Sequence, residues 1–104
     1  MRRGEVWCAD QPEPYKPRPV VLVGRDESYQ VRTHVLIVPV TSRRRDLPTE
    51  VTLGTRNGLR DTSVANCDTI QLLPLTRLDR RLGALDRDQL AALDKALRYA
   101  LGLD

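Results

Sequence analysis

The chain has 104 residues and a formal net charge of +3, and 40% of its residues are hydrophobic, which suits one compact domain over residues 1–104. It contains no apolar run close to the roughly 20 residues of a membrane-spanning helix, and residues 1–5 lack the apolar core of a secretory signal. Composition therefore disfavours a membrane protein or a disordered polyelectrolyte and predicts a soluble cytoplasmic domain.

The cysteines and the histidine form no metal-binding pattern. Cys8 and Cys67 lie far apart in the chain, and His34 is the only histidine. A conventional zinc site needs ligands at closer, repeated spacings. Because each cysteine lies in an apolar stretch, we predict two buried free thiols rather than a disulfide. His34, at the start of a strand-like run, is predicted to be structural, and no metal or other cofactor is expected.

The first part of the chain is predicted to form short strands separated by turns. Residues 5–9 alternate in hydrophobicity, and the proline-rich segment 10–17 ends that strand. The continuous branched run at 19–23 suits a strand that is buried on both faces. A turn at 26–28 leads to a third strand over 35–41.

A charged loop and further short strands follow. The loop covers residues 42–46, and Asn57-Gly58 is a turn signal. Strands are predicted at 49–53, 63–67, 69–73 and 81–84. Together with the first strands, this makes five to seven short strands in about 80 residues, which predict a small antiparallel β-barrel or a closed sandwich.

One strong helix is predicted at the end of the chain. Asp86 and Gln89 have the spacing of a capping box, and Leu85 and Leu90 have that of a hydrophobic staple. Gly102 is suited to end the helix. The apolar face comprises Leu90, Leu93, Leu97, Ala100 and Leu101. We expect this face to seal the barrel.

Polar residues at the ends of apolar strands are candidates for chemistry. Arg18 lies between Pro17 and Pro19, which restrict the local backbone and present its side chain from a stiffened position. Thr41 ends the third predicted strand, and Asp68 interrupts an apolar stretch. For each of these residues alone a structural role is the simpler interpretation, and spacing does not show that they converge.

Six motifs run through nearly the whole chain in a characteristic order. They are RGEVW (3–7), RPVVLV (18–23), VPVTS (38–42), LPTEV (47–51), DTSV (61–64) and ALGL (100–103). Together they resemble the MazF/PemK/Kid toxins of bacterial toxin–antitoxin pairs. The resemblance implies a mainly β fold, a small SH3-like antiparallel β-barrel with a C-terminal α-helix (CcdB/PemK-like), assembled as a homodimer.

The activity that the resemblance implies is sequence-specific, metal-independent cleavage of single-stranded RNA, with mRNA, tRNA and rRNA as candidate targets. The RNA's own 2′-hydroxyl would attack, leaving a 2′,3′-cyclic phosphate or 3′-phosphate and a 5′-hydroxyl, and translation and growth would be inhibited. A cognate acidic, MazE-like antitoxin would neutralise the toxin. We expect its acidic tail to cover the arginines of the charged loop.

The resemblance also assigns residues. The family's catalytic arginine and threonine correspond to Arg18 and Thr41, and Asp68 matches the general base of one branch. A guanidinium suits the charge that develops on phosphorus, and the threonine hydroxyl can orient the same phosphate. The segment before Arg18 departs from the family pattern, and Asn66 stands where one branch has arginine. The expected RNA contacts are Ser42, Leu47, Pro48 and Thr69, together with Arg43, Arg44 and Arg45 of the charged loop.

Two other functions on the same fold remain open at this point. One is a catalytically inactive RNA-binding regulator, which the presence of Arg18 and Thr41 disfavours. The other is a CcdB-like gyrase inhibitor. Such inhibitors act through a helix that ends in Trp-Gly-Ile, whereas this chain ends in LGLD at 101–104.

Overall fold

The computed structural model describes residues 1–11 and 13–103. Pro12, within the predicted proline-rich loop, and Asp104, within the C-terminal tail, therefore lie outside the described residues. The strands are β1 (Glu5–Ala9), β2 (Arg18–Leu22), β3 (His34–Thr41), β4 (Glu50–Leu53), β5 (Ser63–Asn66), β6 (Gln71–Pro74) and β7 (Leu78–Ala84). The helices are α1 (Ser28–Val31) and α2 (Arg87–Leu101), with 3-10 turns at Thr55–Asn57 and Leu75–Arg77.

The strands form one antiparallel sheet that curls into a half-barrel, with a helix at the C-terminal end. Its order is β4-β5-β3-β2-β1-β7, and β6 pairs with the first half of β3, while β5 pairs with the last two residues of β3. The predicted fold class is confirmed. The described strands do not close into a full barrel, because the path ends at β4 on one side and at β7 on the other.

A seam between the turn after β4 and strand β7 brings these two sides together. Gly58 follows the Thr55–Asn57 turn with a φ of 85°, and a Cβ there would overlap the backbone of β7. A Cβ at Gly83 would likewise overlap the carbonyl of Asn57. Two residues without side chains are needed for this backbone approach. The predicted turn at Asn57-Gly58 is confirmed.

Two apolar clusters lie on opposite faces of the sheet. Strand β2 contributes Val21 to one cluster and Val20 and Leu22 to the other, and all three are at most 4% exposed. The prediction that this strand is buried on both faces is confirmed. Helix α2 covers the first cluster through Leu93 and Ala96, so its predicted sealing role is also confirmed.

The ends of α2 follow the predicted capping. The Gln89 N–H donates to Asp86 Oδ1 at 2.8 Å, the Asp86 N–H donates to Gln89 Oε1 at 3.0 Å, and Gly102 ends the helix with a φ of 68°. Leu101, predicted to lie on the apolar face, is 57% exposed. That prediction is wrong for Leu101 because it is the last residue of α2 and lies beyond the core that Leu97 and Ala100 contact, next to the exposed Tyr99 and Leu103.

Two elements differ from the sequence-based prediction. Helix α1 begins at Ser28, the last residue of the predicted turn, and continues to Val31; it was not predicted, because a single helical turn is too short to show a hydrophobic period. Strand β7 begins at Leu78 rather than near residue 81, because the exposed residues of 79–81 hide a strand that pairs with β1 through two irregularities in register. No helix in residues 1–11 and 13–103 is long and apolar enough to cross a membrane.

The two cysteines are free thiols, as predicted. Cys67 is buried, and burial, with the Asp68 carboxylate adding to it, raises the pKa of its thiol to about 11. Cys8 is only partly buried, because it borders an open pocket of 780 Å³ between β2, β7 and the loop at 58–63. Desolvation also raises the pKa of the Cys8 thiol.

Candidate active site

The register of strands β2 and β3 places the first predicted catalytic pair together. Val20 pairs with Pro39, Val21 with Val38 and Leu22 with Ile37. Continuing this antiparallel register by two residues puts Arg18 directly opposite Thr41. Directly opposed residues in an antiparallel pair project from the same face of the sheet. The two side chains border the same cleft of 210 Å³.

Arg18 enters this cleft from the first position of β2. Its side chain is exposed, whereas the flanking Pro17 and Pro19 border the 780 Å³ pocket instead. Because successive side chains of a strand point to opposite faces of the sheet, the Arg18 guanidinium lies on the other face from the two proline rings. The ion pairs of the described residues are Arg3–Asp94, Arg56–Asp86 and Arg81–Glu5. None of them uses Arg18, so its charge faces solvent and the cleft.

Thr41 is the last residue of β3 and is partly buried. Its Oγ1 accepts a hydrogen bond from the Arg43 N–H at 3.2 Å. That bond uses a lone pair of the oxygen, so the hydroxyl can still donate its proton to a bound group. The arrangement holds Thr41 at the end of a well-packed strand, beside a guanidinium.

The loop between β3 and β4 (residues 42–49) supplies the other wall of the cleft. Three of its predicted RNA contacts, Arg43, Arg45 and Leu47, border the cleft. Ser42, the first loop residue after β3, borders the 780 Å³ pocket instead. Other predicted contacts are not among the residues that border the cleft: Arg44, Pro48 and Thr69.

Asp68 lies next to the cleft rather than on its wall. The side chain is exposed, and its Oδ2 accepts a hydrogen bond from the Thr49 hydroxyl at 2.6 Å. The Asp68 N–H donates to Asn66 Oδ1 at 3.0 Å, and Asn66 itself borders the cleft. Asp68 is therefore linked to the wall of the cleft through Asn66.

Sequence reasoning did not single out Glu50, the first residue of β4. It lies opposite Asn66 of β5, and among the residues that border the cleft it is the one carboxylate. Its Oε1 accepts hydrogen bonds from the backbone N–H groups of Arg45 and Leu47, at 2.9 and 3.4 Å. The only sequence signal was its place in the LPTEV motif, which does not reveal these backbone partners.

His34 lies away from this cleft. It is exposed at the start of β3, and its Nδ1 is 2.9 Å from the Thr33 hydroxyl. Residues 1–11 and 13–103 contain no group of three or more histidine, cysteine, aspartate or glutamate side chains placed to hold a metal ion. With Arg18, Arg43 and Arg45 against one carboxylate, the cleft is positively charged, and such a charge balance favours an anionic ligand.

Comparison with known proteins agrees with this geometry. A family model described as the PemK-like, MazF-like toxin of type II toxin–antitoxin systems matches residues 2–101. The chain is 38% identical over 89 residues to "Endoribonuclease MazF3" of Mycobacterium tuberculosis, and the match covers 86% of each protein.

Solved structures of similar proteins have the same fold. The Mycobacterium tuberculosis toxin MazF-mt6 superposes with a TM-score of 0.88 at 35% identity, covering 96% of this chain and 98% of that one. An endoribonuclease from a mycobacterial species, solved in complex with its cognate antitoxin, also gives a TM-score of 0.88, at 30% identity over 100% and 97% of the two chains.

Proposed function

The chain belongs to the PemK-like, MazF-like toxins of type II toxin–antitoxin systems, and from this premise we propose that it is a sequence-specific endoribonuclease that cleaves single-stranded RNA without a metal ion. Relatives that bear the name endoribonuclease match most of its length. The observation that carries the proposal is the shared cleft of Arg18 and Thr41. A toxin domain over residues 1–104 that acts on cytoplasmic mRNA, tRNA or rRNA would inhibit translation and growth.

The proposed reaction uses a nucleophile that the substrate supplies. The 2′-oxygen bonds to the adjacent phosphorus as its proton is removed, and the bond from phosphorus to the 5′-oxygen breaks. The products are a 2′,3′-cyclic phosphate, which water can hydrolyse to a 3′-phosphate, and a 5′-hydroxyl whose proton comes from the Arg18 guanidinium or from water. The protein must therefore stabilise charge on the phosphoryl oxygens and handle two protons.

Arg18 is the proposed source of charge stabilisation. A guanidinium can donate two parallel hydrogen bonds to phosphoryl oxygens, and its interaction strengthens as the pentavalent transition state gains negative charge. The exposure of Arg18 and its place outside the ion pairs of the described residues leave the donor fork available to a phosphate.

Thr41 is the proposed orienting group. Its hydroxyl can donate to the same phosphate from the opposite strand, while the Arg43 N–H fixes its oxygen. Two donors on neighbouring strands would hold the scissile phosphate in one orientation. Their opposition in the strand register supports this assignment.

Asp68 is the proposed acceptor of the 2′-proton. One carboxylate oxygen is engaged by Thr49, and the exposed side chain leaves the other free to accept from a 2′-hydroxyl whose ribose, attached to the phosphate in the cleft, lies over Asn66. The adjoining loop and turn would contact the nucleotides on either side through Ser42, Arg43, Arg44, Arg45, Leu47, Pro48 and Thr69.

The proposed assembly is a homodimer neutralised by an acidic antitoxin. Similar proteins have been solved with antitoxin, including MazE-MazF of Deinococcus radiodurans. In this chain the exposed side chains of Arg43, Arg44 and Arg45 lie together on one loop and are absent from the ion pairs of the described residues. An acidic antitoxin segment would pair with them and cover the cleft.

The proposal is tested by incubating purified protein with a long unstructured RNA in EDTA and mapping the new 5′-hydroxyl ends. Cleavage should persist in EDTA, and Arg18→Ala should lower kcat/KM about 10²–10³-fold, the usual effect of removing a transition-state donor. Arg87→Ala, which removes an exposed arginine on α2, is the matched control and should cleave normally. Undiminished cleavage by Arg18→Ala would contradict the mechanism.

A further inference from the structure

The β3–β4 loop is organised around a single side-chain oxygen. The Arg45 and Leu47 N–H groups both donate to Glu50 Oε1, and the Glu50 N–H donates back to the Leu47 carbonyl at 3.0 Å. Asp46, between the two donors, has a φ of 54°, the left-handed conformation that lets successive N–H groups point the same way. The loop therefore folds back onto the first residue of β4.

This anchor matters because the loop has few other attachments. Its residues from Ser42 to Pro48 are exposed, and outside the Glu50 contacts their described backbone hydrogen bond is that of the Arg43 N–H with Thr41. The last loop residue, Thr49, is held separately, because its carbonyl accepts from the Cys67 N–H at 2.9 Å and its hydroxyl donates to Asp68. The loop nevertheless forms a wall of the cleft through Arg43, Arg45 and Leu47. The position of loop residues 43–47 beside the scissile phosphate thus depends largely on the Glu50 carboxylate.

The charge of Glu50 argues against a role in holding RNA directly. A carboxylate in a cleft that receives a phosphate repels it, and the three arginines that border the cleft would attract phosphate more strongly without it. Strand pairing with Asn66 gives a structural position to the backbone of Glu50 but not to its side chain. The hydrogen bonds that the side chain accepts from two backbone N–H groups explain why a carboxylate lies there.

We infer that Glu50 is a positioning residue that determines which nucleotides flank the cleaved bond. It does so by fixing Arg45 and Leu47 next to the Arg18–Thr41 pair, an inference that rests on the proposed RNA cleavage. A loop held in one conformation accepts a limited set of bases, whereas a released loop accepts more sequences and binds each of them more weakly.

Three substitutions separate the reach of the side chain from its charge. Glu50→Gln keeps an oxygen at the same reach and loses the charge, Glu50→Asp keeps the charge and loses the reach, and Glu50→Ala loses both. Glu27→Gln, which changes an exposed acidic residue next to α1, is the control. The readouts are kcat and KM on one RNA substrate, the pH dependence of kcat/KM, and the sequences around all cleavage sites in a long RNA.

Glu50→Gln should keep the wild-type cleavage sites, with kcat/KM and its pH dependence within about threefold of wild type. Glu50→Asp and Glu50→Ala should raise KM about tenfold or more, lower kcat less, and cut at additional sequences. If Glu50→Ala does not fold, the Gln and Asp variants still decide the question, because their expected results are opposite.

Two results would overturn the inference. In the first, Glu50→Gln is impaired and has a changed pH profile while Glu50→Asp is normal, which would make the charge the essential property. In the second, both Glu50→Asp and Glu50→Ala keep the wild-type KM and the wild-type cleavage sites. Failure of the proposed function would look different, because the wild-type protein itself would then leave RNA intact or would cleave independently of Arg18.

Discussion

Polar side chains are buried and hydrogen-bonded at the seam between the turn after β4 and strand β7, whereas they are exposed or partly exposed at the cleft. At the seam Asn57 is 1% exposed and Gln89 is 6% exposed, and the two amides exchange hydrogen bonds of 2.7 and 3.0 Å. At the cleft Arg18 is exposed and takes no part in the ion pairs of the described residues. Buried groups whose hydrogen bonds are satisfied stabilise a fold, whereas accessible donors remain available to a ligand.

The comparison predicts that mutations in the two regions separate activity from stability. Substitutions at the cleft should change cleavage and leave the free energy of unfolding nearly unaltered. Substitutions at the seam should do the reverse, as long as the molecule remains folded.

The largest effect is expected for Asp68→Asn. Asparagine can still accept the hydrogen bond from Thr49 but cannot take up the 2′-proton, so kcat should fall about 10²–10⁴-fold. The melting temperature should stay close to that of wild type. Asp88→Asn, on the exposed face of α2, serves as the control. A normal kcat for Asp68→Asn would move the general base to another group.

At the seam, Asn57→Ala should lower the free energy of unfolding by about 2–4 kcal/mol. The substitution removes hydrogen bonds to Gly54, Ala84 and Gln89 and leaves some of these buried groups without a hydrogen-bond partner. Urea denaturation monitored by circular dichroism measures the change, with Gln30→Ala, an exposed amide in α1, as the control.

The cleavage activity of Asn57→Ala tests whether the seam affects the cleft. At a temperature where Asn57→Ala is folded, its kcat/KM should match that of wild type. A variant that is fully folded but inactive would show that the seam and the cleft are coupled, which contradicts the division between them.

Part of this organisation could be predicted from the sequence. The branched runs of β2 and β3 predict two strands whose apolar faces are buried, and both strands are present. Their spacing in the chain did not predict the register, so the opposition of Arg18 and Thr41 became visible only in the structure. The capping box of α2 is local chemistry, so Asp86 and Gln89 were sufficient to predict where the helix begins.

Other parts depend on contacts that the sequence does not display. The role of Glu50 arises from a loop conformation, because its partners are backbone N–H groups that any residue carries. Gln89 was predicted only as a capping residue, but its amide also donates to the Thr52 carbonyl and to Asn57. Such long-range hydrogen bonds appear only after the sheet has curled.

The charged loop should contribute to binding rather than to chemistry or stability. Replacing Arg43, Arg44 and Arg45 together by alanine should weaken RNA binding and make the slope of log K against log salt shallower by about 2, as expected for about three lost contacts to single-stranded phosphates. Fluorescence anisotropy at several salt concentrations measures the slope, and Arg87→Ala is the control. The same triple variant should bind an acidic antitoxin peptide more weakly; unchanged affinity for both ligands would exclude the loop from either interface.

The smallest effect concerns alkaline pH. Burial raises the pKa of Cys67 from 9.0 to about 11 and that of Tyr29 from 10.0 to about 12, so the folded state favours the neutral forms. Their contribution to stability is complete below pH 9 and is lost as the pH rises towards 11 and 12. Urea denaturation at pH 7, 9 and 10 should therefore show a falling free energy of unfolding. The fall should be smaller in Cys67→Ala, and an equal fall would assign the effect to other groups.

A double-mutant cycle decides whether Arg18 and Thr41 act on the same phosphate. The values of kcat/KM are measured for wild type, Arg18→Ala, Thr41→Ala and the double variant. Groups that act on one phosphate are strongly non-additive, so the double variant should be little slower than the slower single variant. A double variant whose loss equals the product of the two single losses would show that the two residues act independently and would contradict the account.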